Sequence, residues 1–267
     1  MNLKTAIQIL RSAGIDSPEY DAREIFRHYG CEAISGATES DDPQLISAIT
    51  RRAKREPLQY ILGSVGFYRE EYRVTPDVLI PRADTETLVD FAVKNLPEGA
   101  LFLDLCTGSG CVAVSTLKNT KGTTAIAVDL SAKALEIARE NAEINGVSDR
   151  VEFIFGDAKG EIETDGIFAL LSNPPYVADE VYESLEGEIF HEPKMAFVGG
   201  SDGGDFYRAI TPLYRDKIAN DGFIAYEIGY DQAEMLRKIA EENSMSCEIL
   251  KDLGGNDRVA VLRRQNQ

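Results

Sequence analysis

Leu101-Phe102-Leu103-Asp104-Leu105-Cys106-Thr107-Gly108-Ser109-Gly110 reads as an apolar strand running into a glycine turn, with a helix predicted directly after it over residues 111–117. Gly108 and Gly110 let backbone come close to a ligand where a Cβ would collide, and the helix start beyond them offers free N–H groups. Asp129 follows about 20 residues on, at the end of the next predicted strand, where a carboxylate can accept from both ribose hydroxyls. The arrangement is that of an adenosine site. Gly108-Ser109-Gly110-Cys111-Val112-Ala113 also satisfies the dinucleotide pattern G-x-G-x-x-A, so the loop alone leaves a nicotinamide cofactor open. Asp104 tips the choice, because a carboxylate at the end of the strand repels a pyrophosphate but suits the ammonium and sulfonium groups of S-adenosylmethionine. Gly156-Asp157, ending a third strand, is placed to accept from an adenine amino group.

Outward from this loop the pattern alternates. Strands are predicted at 101–105, 124–129, 151–155, 167–172, 222–228, and near 246–250 and 258–263, with helix-length segments between most of them. Continuous apolar strands separated by amphipathic helices predict an α/β fold of Rossmann type, a parallel sheet covered on both faces. The last two strands, joined across Gly254-Gly255-Asn256-Asp257, read as an antiparallel hairpin added at the sheet edge. Before residue 64 the period is helical. Leu3, Ile7 and Leu10 form one stripe. A second, of Ala22, Ile25, Phe26 and Tyr29, follows Ser17-Pro18 and is stopped by Gly30. A third helix starts at Asp42-Pro43, carries Leu45, Ile49 and Ala53, and is closed by Pro57. The division expected is a helical bundle over 1–63, a hairpin or extended connector over 64–80, and a Rossmann-like domain over 81–267.

Ser172-Asn173-Pro174-Pro175-Tyr176 follows the fourth strand, at the carboxyl edge of the sheet where open α/β folds bind ligands. Each proline removes a donor, fixes its own φ and holds the preceding residue extended. The result is a stiff rim of acceptors. The Asn173 side-chain oxygen and the Pro174 carbonyl can take the two hydrogens of a planar –NH₂ group and hold its nitrogen toward an electrophile, with Tyr176 stacked on the plane. Such a nitrogen is a poor nucleophile because its lone pair is delocalised, and accepting both hydrogens returns electron density to it. The chemistry read from these residues is methyl transfer to an amino nitrogen.

Composition narrows the class. The chain has 267 residues, 43% of them apolar, enough for one or two domains with a sizeable core, and disorder as a whole is excluded. Twenty-eight Lys and Arg stand against 45 Asp and Glu, a formal net charge of −17, nearly all of it after residue 75. A duplex-gripping enzyme needs a basic face, so a nucleic-acid adenine methyltransferase using the same rim on a flipped base is the disfavoured alternative. The one basic cluster, Arg51-Arg52-Ala53-Lys54-Arg55, reads as a solvated helix face. No stretch is long and apolar enough for a membrane span and no signal-peptide pattern is present, so a cytoplasmic location is expected. Cys31, Cys106, Cys111 and Cys247 are scattered like reduced thiols, and with two histidines, His28 and His191, no metal centre is expected. An NAD-dependent oxidoreductase would account for the glycine loop and leave Asn-Pro-Pro-Tyr unexplained.

Several segments together resemble the protein-glutamine methyltransferases that modify peptide chain release factors. Arg55-Glu56-Pro57-Leu58-Gln59-Tyr60-Ile61-Leu62-Gly63, Val78-Leu79-Ile80-Pro81-Arg82-Ala83-Asp84-Thr85-Glu86, Asn173-Pro174-Pro175-Tyr176, Glu192-Pro193 and Gly255-Asn256-Asp257-Arg258 occur in that family's order. The resemblance implies S-adenosylmethionine as cofactor, held by Cys106, Thr107, Gly108, Ser109, Gly110 and Asp129, with Asp157 and Asn173 beside it. It implies a substrate glutamine in the Gly-Gly-Gln loop of a class I release factor, seated by Asn173, Pro174, Pro175 and Tyr176, with Asn173, Pro174 and Tyr176 carrying catalysis. The N-terminal helices would grip that protein. Two positions depart from the family pattern, Cys106 in place of glycine and Ala83 in place of proline.

Overall fold

The structure is a computed structural model and describes residues 1–30, 39–185 and 187–265. Cys31 lies outside them. The chain divides into two units, Met1–Ser64 with Glu186–His191, and Val65–Leu185 with Glu192–Gln267.

The first unit holds helices α1 (Leu3–Ser12), α2 (Pro18–His28), α3 (Pro43–Ala53) and α4 (Leu58–Leu62). Asn2 caps α1 through Thr5 N–H at 2.9 Å, and Asp42 caps α3 through Gln44 N–H at 2.8 Å, with Pro43 at the first helical position. Leu3, Leu10, Ile25, Phe26, Leu45, Ile49, Leu58 and Ile61 meet in one core. Helix α4 was not predicted, because its five residues are too few to show a period. The basic cluster is also not a solvated face throughout. Arg52 is 6% exposed, and its guanidinium donates to Asp21 at 2.6 Å, with Glu188 at 2.6 Å as a second partner. A guanidinium buried among apolar helices needs such anions, and Asp21 and Glu188 are too far away in the chain for a sequence window to pair them with it.

In the second unit a hairpin of β1 (Ser64–Phe67) and β2 (Glu70–Arg73) precedes α5 (Glu86–Asn95), β3 (Leu101–Leu105), α6 (Cys111–Asn119), β4 (Thr124–Asp129), α7 (Ala132–Ile144), β5 (Val151–Phe155) and β6 (Ile167–Ser172). Then come α8 (Asp179–Ser184), α9 (Asp205–Tyr214), β7 (Phe223–Glu227), α10 (Ala233–Glu242), β8 (Met245–Lys251) and β9 (Asp257–Arg264). Seven strands form one sheet in the order β5-β4-β3-β6-β7-β9-β8. Five are parallel, and β9 and β8 add an antiparallel edge. Alternate residues of the strands serve opposite faces. Phe102, Ala127, Leu171, Phe223 and Ala225 pack under α5 and α6, while Leu103, Leu105, Val128, Leu170, Ile224 and Tyr226 pack under α9 and α10. Each large apolar side chain fully buried this way contributes roughly 1.5–3 kcal/mol.

The hairpin is packed against this unit. Tyr72 is fully buried, its hydroxyl 2.6 Å from Ser115 Oγ, and Ser115 in turn donates to Glu70 at 2.9 Å. Asn141 closes the other side, accepting from Arg73 N–H at 2.7 Å and donating to Arg73 C=O at 3.0 Å.

Candidate functional site

The sheet order brings the site together. The chain runs outward through β3, β4 and β5, then returns to lay β6 on the other side of β3, so the carboxyl ends of β3 and β6 stand side by side at the reversal. Leu105 pairs with Val128 on one side and Ser172 on the other, and Ser172 pairs with Tyr226. The residues that follow these strand positions, Cys106, Asp129, Asn173 and Glu227, are therefore neighbours along one edge.

The loop after β3 is held from inside. Asp104 is 1% exposed, and its Oδ2 accepts from Thr107 Oγ1 at 2.6 Å and from Ala113 N–H at 3.1 Å. Its Oδ1 has no partner among the described residues, and burial pushes its pKa up to about 7. Asp104 thus braces the loop and is not among the residues lining the cavity beyond it. Thr107 N–H donates to Val128 C=O at 3.0 Å and Gly110 N–H to Thr107 C=O at 2.8 Å, closing the turn. Gly108 has φ +55° and Gly110 φ +81°, and Cys106 adopts φ +62° although it carries a Cβ.

Asp129 joins loop and strand. Its Oδ2 accepts from Gly108 N–H and its Oδ1 from Ser131 N–H, both at 2.8 Å, leaving each oxygen able to accept again. Burial raises its pKa, and those backbone donors pull it back. Asp157 Oδ1 accepts from Lys159 N–H at 2.9 Å.

These residues open onto a cavity holding about 990 Å³ out to its solvent mouth. Cys106, Thr107, Gly108, Ser109, Asp129, Asp157, Asn173 and Pro175 all line it. Gly110, Pro174 and Tyr176 do not. Gly110 caps α6 instead, and a Cβ there would stand 3.1 Å from Ala138 Cβ. Pro174 is buried. The Tyr176 hydroxyl donates to Glu227 Oε1 at 3.2 Å, and its carbonyl accepts from Gln232 Nε2 at 2.8 Å, so its ring is committed to the support of the rim.

Four supporting residues have roles that the sequence reading did not assign. Glu192, buried, accepts from Ile80 N–H at 2.9 Å and pairs with Arg82, tying the wall over 77–82 to the wall over 193–196. Gly199 and Gly203 back the rim, where a Cβ would fall 2.4 Å from Pro175 C=O and 2.1 Å from Tyr176 C=O. Glu227, within the strand predicted at 222–228, lies 2% exposed behind Asn173 and Tyr176, and burial pushes its pKa up to about 7. Parallel register, which puts it beside Asn173, is the signal that identifies it.

The donor set fits S-adenosylmethionine. Acids stand at the loop and along the wall (Asp77, Asp129, Asp157) beside Lys159 and the Glu192-paired Arg82, and Asp129 keeps acceptor capacity for the ribose hydroxyls.

Comparison with known proteins agrees. A family profile described as "Methyltransferase small domain" matches residues 83–201. A release factor glutamine methyltransferase of Caulobacter vibrioides is 35% identical over 269 residues, covering 94% of this chain and 91% of the relative. Another, of Moorella thermoacetica, is 32% identical over 278 residues, covering 99% and 98%. Among solved structures, a ribosomal protein L11 methylase of Lactobacillus delbrueckii subsp. bulgaricus superposes with a TM-score of 0.54 at 18% identity, covering 73% of this chain and 86% of that one, which shows the shared fold. With the rim and the glycine loop meeting at one sheet edge and identity sustained over nearly the whole length of these relatives, the chain belongs to the release factor glutamine methyltransferase family.

Proposed function

We propose that the protein methylates the side-chain amide nitrogen of a protein glutamine, that of the Gly-Gly-Gln motif of a class I peptide chain release factor, in the cytoplasm. The observation that carries this reading is the Asn173 amide on the cavity wall, at the end of β6 beside the β3 loop, with its Nδ2 donating to Thr85 Oγ1 at 3.2 Å. With Nδ2 engaged there, Oδ1 is the atom left to accept from a substrate. It accepts from a primary amide, returning density to the nitrogen and aiming its lone pair into the cavity, and the Pro174 carbonyl, which stands off the cavity wall, would have to turn toward it to take the second hydrogen. Bound S-adenosylmethionine supplies a methyl group on a sulfonium sulfur. Cys106 to Ser109, Asp129 and Asp157 would hold it, with Gly110 shaping the turn from behind. The amide nitrogen would gain the methyl as its bond to sulfur breaks and would pass one proton to solvent water, so no base of high pKa is needed. Residues 1–63, which carry their own core, are assigned to gripping the protein substrate, and 81–267 to catalysis.

The test uses labelled cofactor with purified class I release factor and, separately, with duplex DNA. Label is expected on the factor alone, mapping to the glutamine after two glycines, and Asn173→Ala is expected to lower turnover about 100-fold or more. Labelled DNA with an unmodified factor would reject the assignment in favour of a base methyltransferase.

A further inference from the structure

The end of the rim is held by a side chain that does not line the cavity. Gln232 stands in the turn between β7 and α10, 8% exposed, and its Nε2 donates to Tyr176 C=O at 2.8 Å. Its Oε1 accepts from Gly229 N–H at 2.9 Å, with the Tyr207 hydroxyl 3.3 Å from the same oxygen and 2.9 Å from Glu227 C=O. A backbone N–H only donates and a carbonyl only accepts, so the carboxamide has one orientation, its oxygen on the turn and its nitrogen on the rim. Gly203 covers the contact: a Cβ there would fall 2.1 Å from Tyr176 C=O and 2.7 Å from Gln232 Nε2. Val177 N–H, the other polar group of the same peptide unit, donates to Phe197 C=O at 2.8 Å. The unit is planar, so bonds to its carbonyl and to its N–H together fix its rotation. With the Tyr176 hydroxyl on Glu227 Oε1 at 3.2 Å, the residue that ends the rim is held at its ring tip, its carbonyl and the following N–H.

We infer that Gln232 is a positioning residue for methyl transfer, fixing the peptide unit that ends the rim and through it the direction in which Asn173 presents the substrate amide to the cavity. Pro174 and Pro175 each fix their own φ and hold the residue before them extended, so a rotation at Tyr176 is carried back along the rim to Asn173. The inference rests on the glutamine reading above and adds what keeps the amide acceptor in register. It ties the end of β7 to the rim that follows β6, two strands that pair through Ser172 and Tyr226.

Gln232→Met keeps the length of the side chain and removes both polar atoms. Gln232→Glu keeps its shape and the acceptor for Gly229, and removes the donor to Tyr176. Turnover of the full chain on purified class I release factor is measured at about pH 8, beside KM for the factor, cofactor affinity by calorimetry and thermal unfolding. Both variants are expected to lose about 10-fold or more in kcat, with KM and cofactor Kd within about twofold of wild type. Lowering the pH to about 6 returns a proton to the introduced carboxyl, which then donates to Tyr176. The rate of Gln232→Glu, taken as a fraction of wild type at the same pH, should then rise roughly threefold or more, and that of Gln232→Met should stay level. The ratio removes the titration of Glu227, which all three proteins share, and burial keeps the hydroxyls of Tyr176 and Tyr207 protonated throughout. The inference is overturned by kcat within twofold of wild type in both variants, by a loss that tracks cofactor Kd or KM, or by a Gln232→Glu ratio that acid does not raise. Should Gln232→Met unfold early, the acid response of Gln232→Glu decides. Failure of the variants with an active wild type defeats this inference alone, whereas wild-type enzyme that labels no glutamine defeats the glutamine reading with it.

Discussion

Cys106 is the residue whose side chain fits its backbone least well. At φ +62° an L-residue crowds its own carbonyl, a cost of roughly 1–2 kcal/mol that glycine escapes, while glycine returns roughly 0.5–1 kcal/mol through its freer unfolded chain. Cys106→Gly is accordingly expected to stabilise the protein by up to about 1 kcal/mol, seen as a higher urea midpoint at unchanged slope. A lower midpoint would mean that the thiol, which lines the cavity beside Ser172, is held by contacts worth more than the strain. Burial and the neighbouring carboxylates Asp129 and Asp104 push that thiol well above the usual cysteine range, so it stays protonated.

At the scale of an element, α6 shows how the loop is anchored. Residues 111–117 of this helix are all buried, and it begins at Gly110, whose hydrogen-side faces Ala138 of α7. Gly110→Ala adds a methyl 3.1 Å from Ala138 Cβ at φ +81°, so it combines backbone strain with overpacking and should cost about 2–3 kcal/mol. Pairing it with Ala138→Gly should recover the packing part only. Full recovery in urea unfolding would show that the backbone at 110 is not constrained, and no recovery would show that the helices do not approach as closely as described. The sequence pattern treats Gly110 as a ligand-facing glycine because G-x-G motifs serve both uses. Only the position of α7, itself set by strand β4 before it, separates them.

Across the whole molecule, two buried carboxyls shape the response to pH. Burial pushes Asp104 up to about 7, and Glu227 likewise up to about 7, against unfolded values near 4. A carboxyl that holds its proton more tightly when folded contributes its full stability below the unfolded pKa and loses it as pH rises to the folded one. Asp202, held down to about 2 by Arg208, acts in the other sense, its contribution present above about 4 and lost as pH falls toward 2. Between pH 5 and 8 the first pair dominates, and the net charge of −17 at neutral pH adds self-repulsion in the same direction. The unfolding temperature is thus expected to fall from pH 5.5 to pH 7.5, and less steeply in Asp104→Asn, which still accepts from Thr107 and Ala113. A temperature that climbs over that interval would contradict the assignment of both carboxyls as buried with one oxygen unpartnered among the described residues.

The α/β architecture, the glycine loop, Asp129 and the Asn-Pro-Pro-Tyr rim were all legible as short runs of residues, because strand and helix periods, turn glycines and proline stiffness act over fewer than about ten residues. Strand boundaries followed to within a residue or so for the same reason. The supporting roles of Glu192 and Glu227, and the bond from the Tyr176 hydroxyl to Glu227, were not legible. What these residues do depends on which strand lies beside which, and that order is set by packing two apolar faces of one sheet under helices far apart in the chain. Local chemistry placed Asn173 as an acceptor at the sheet edge; long-range packing decided which groups stand behind it.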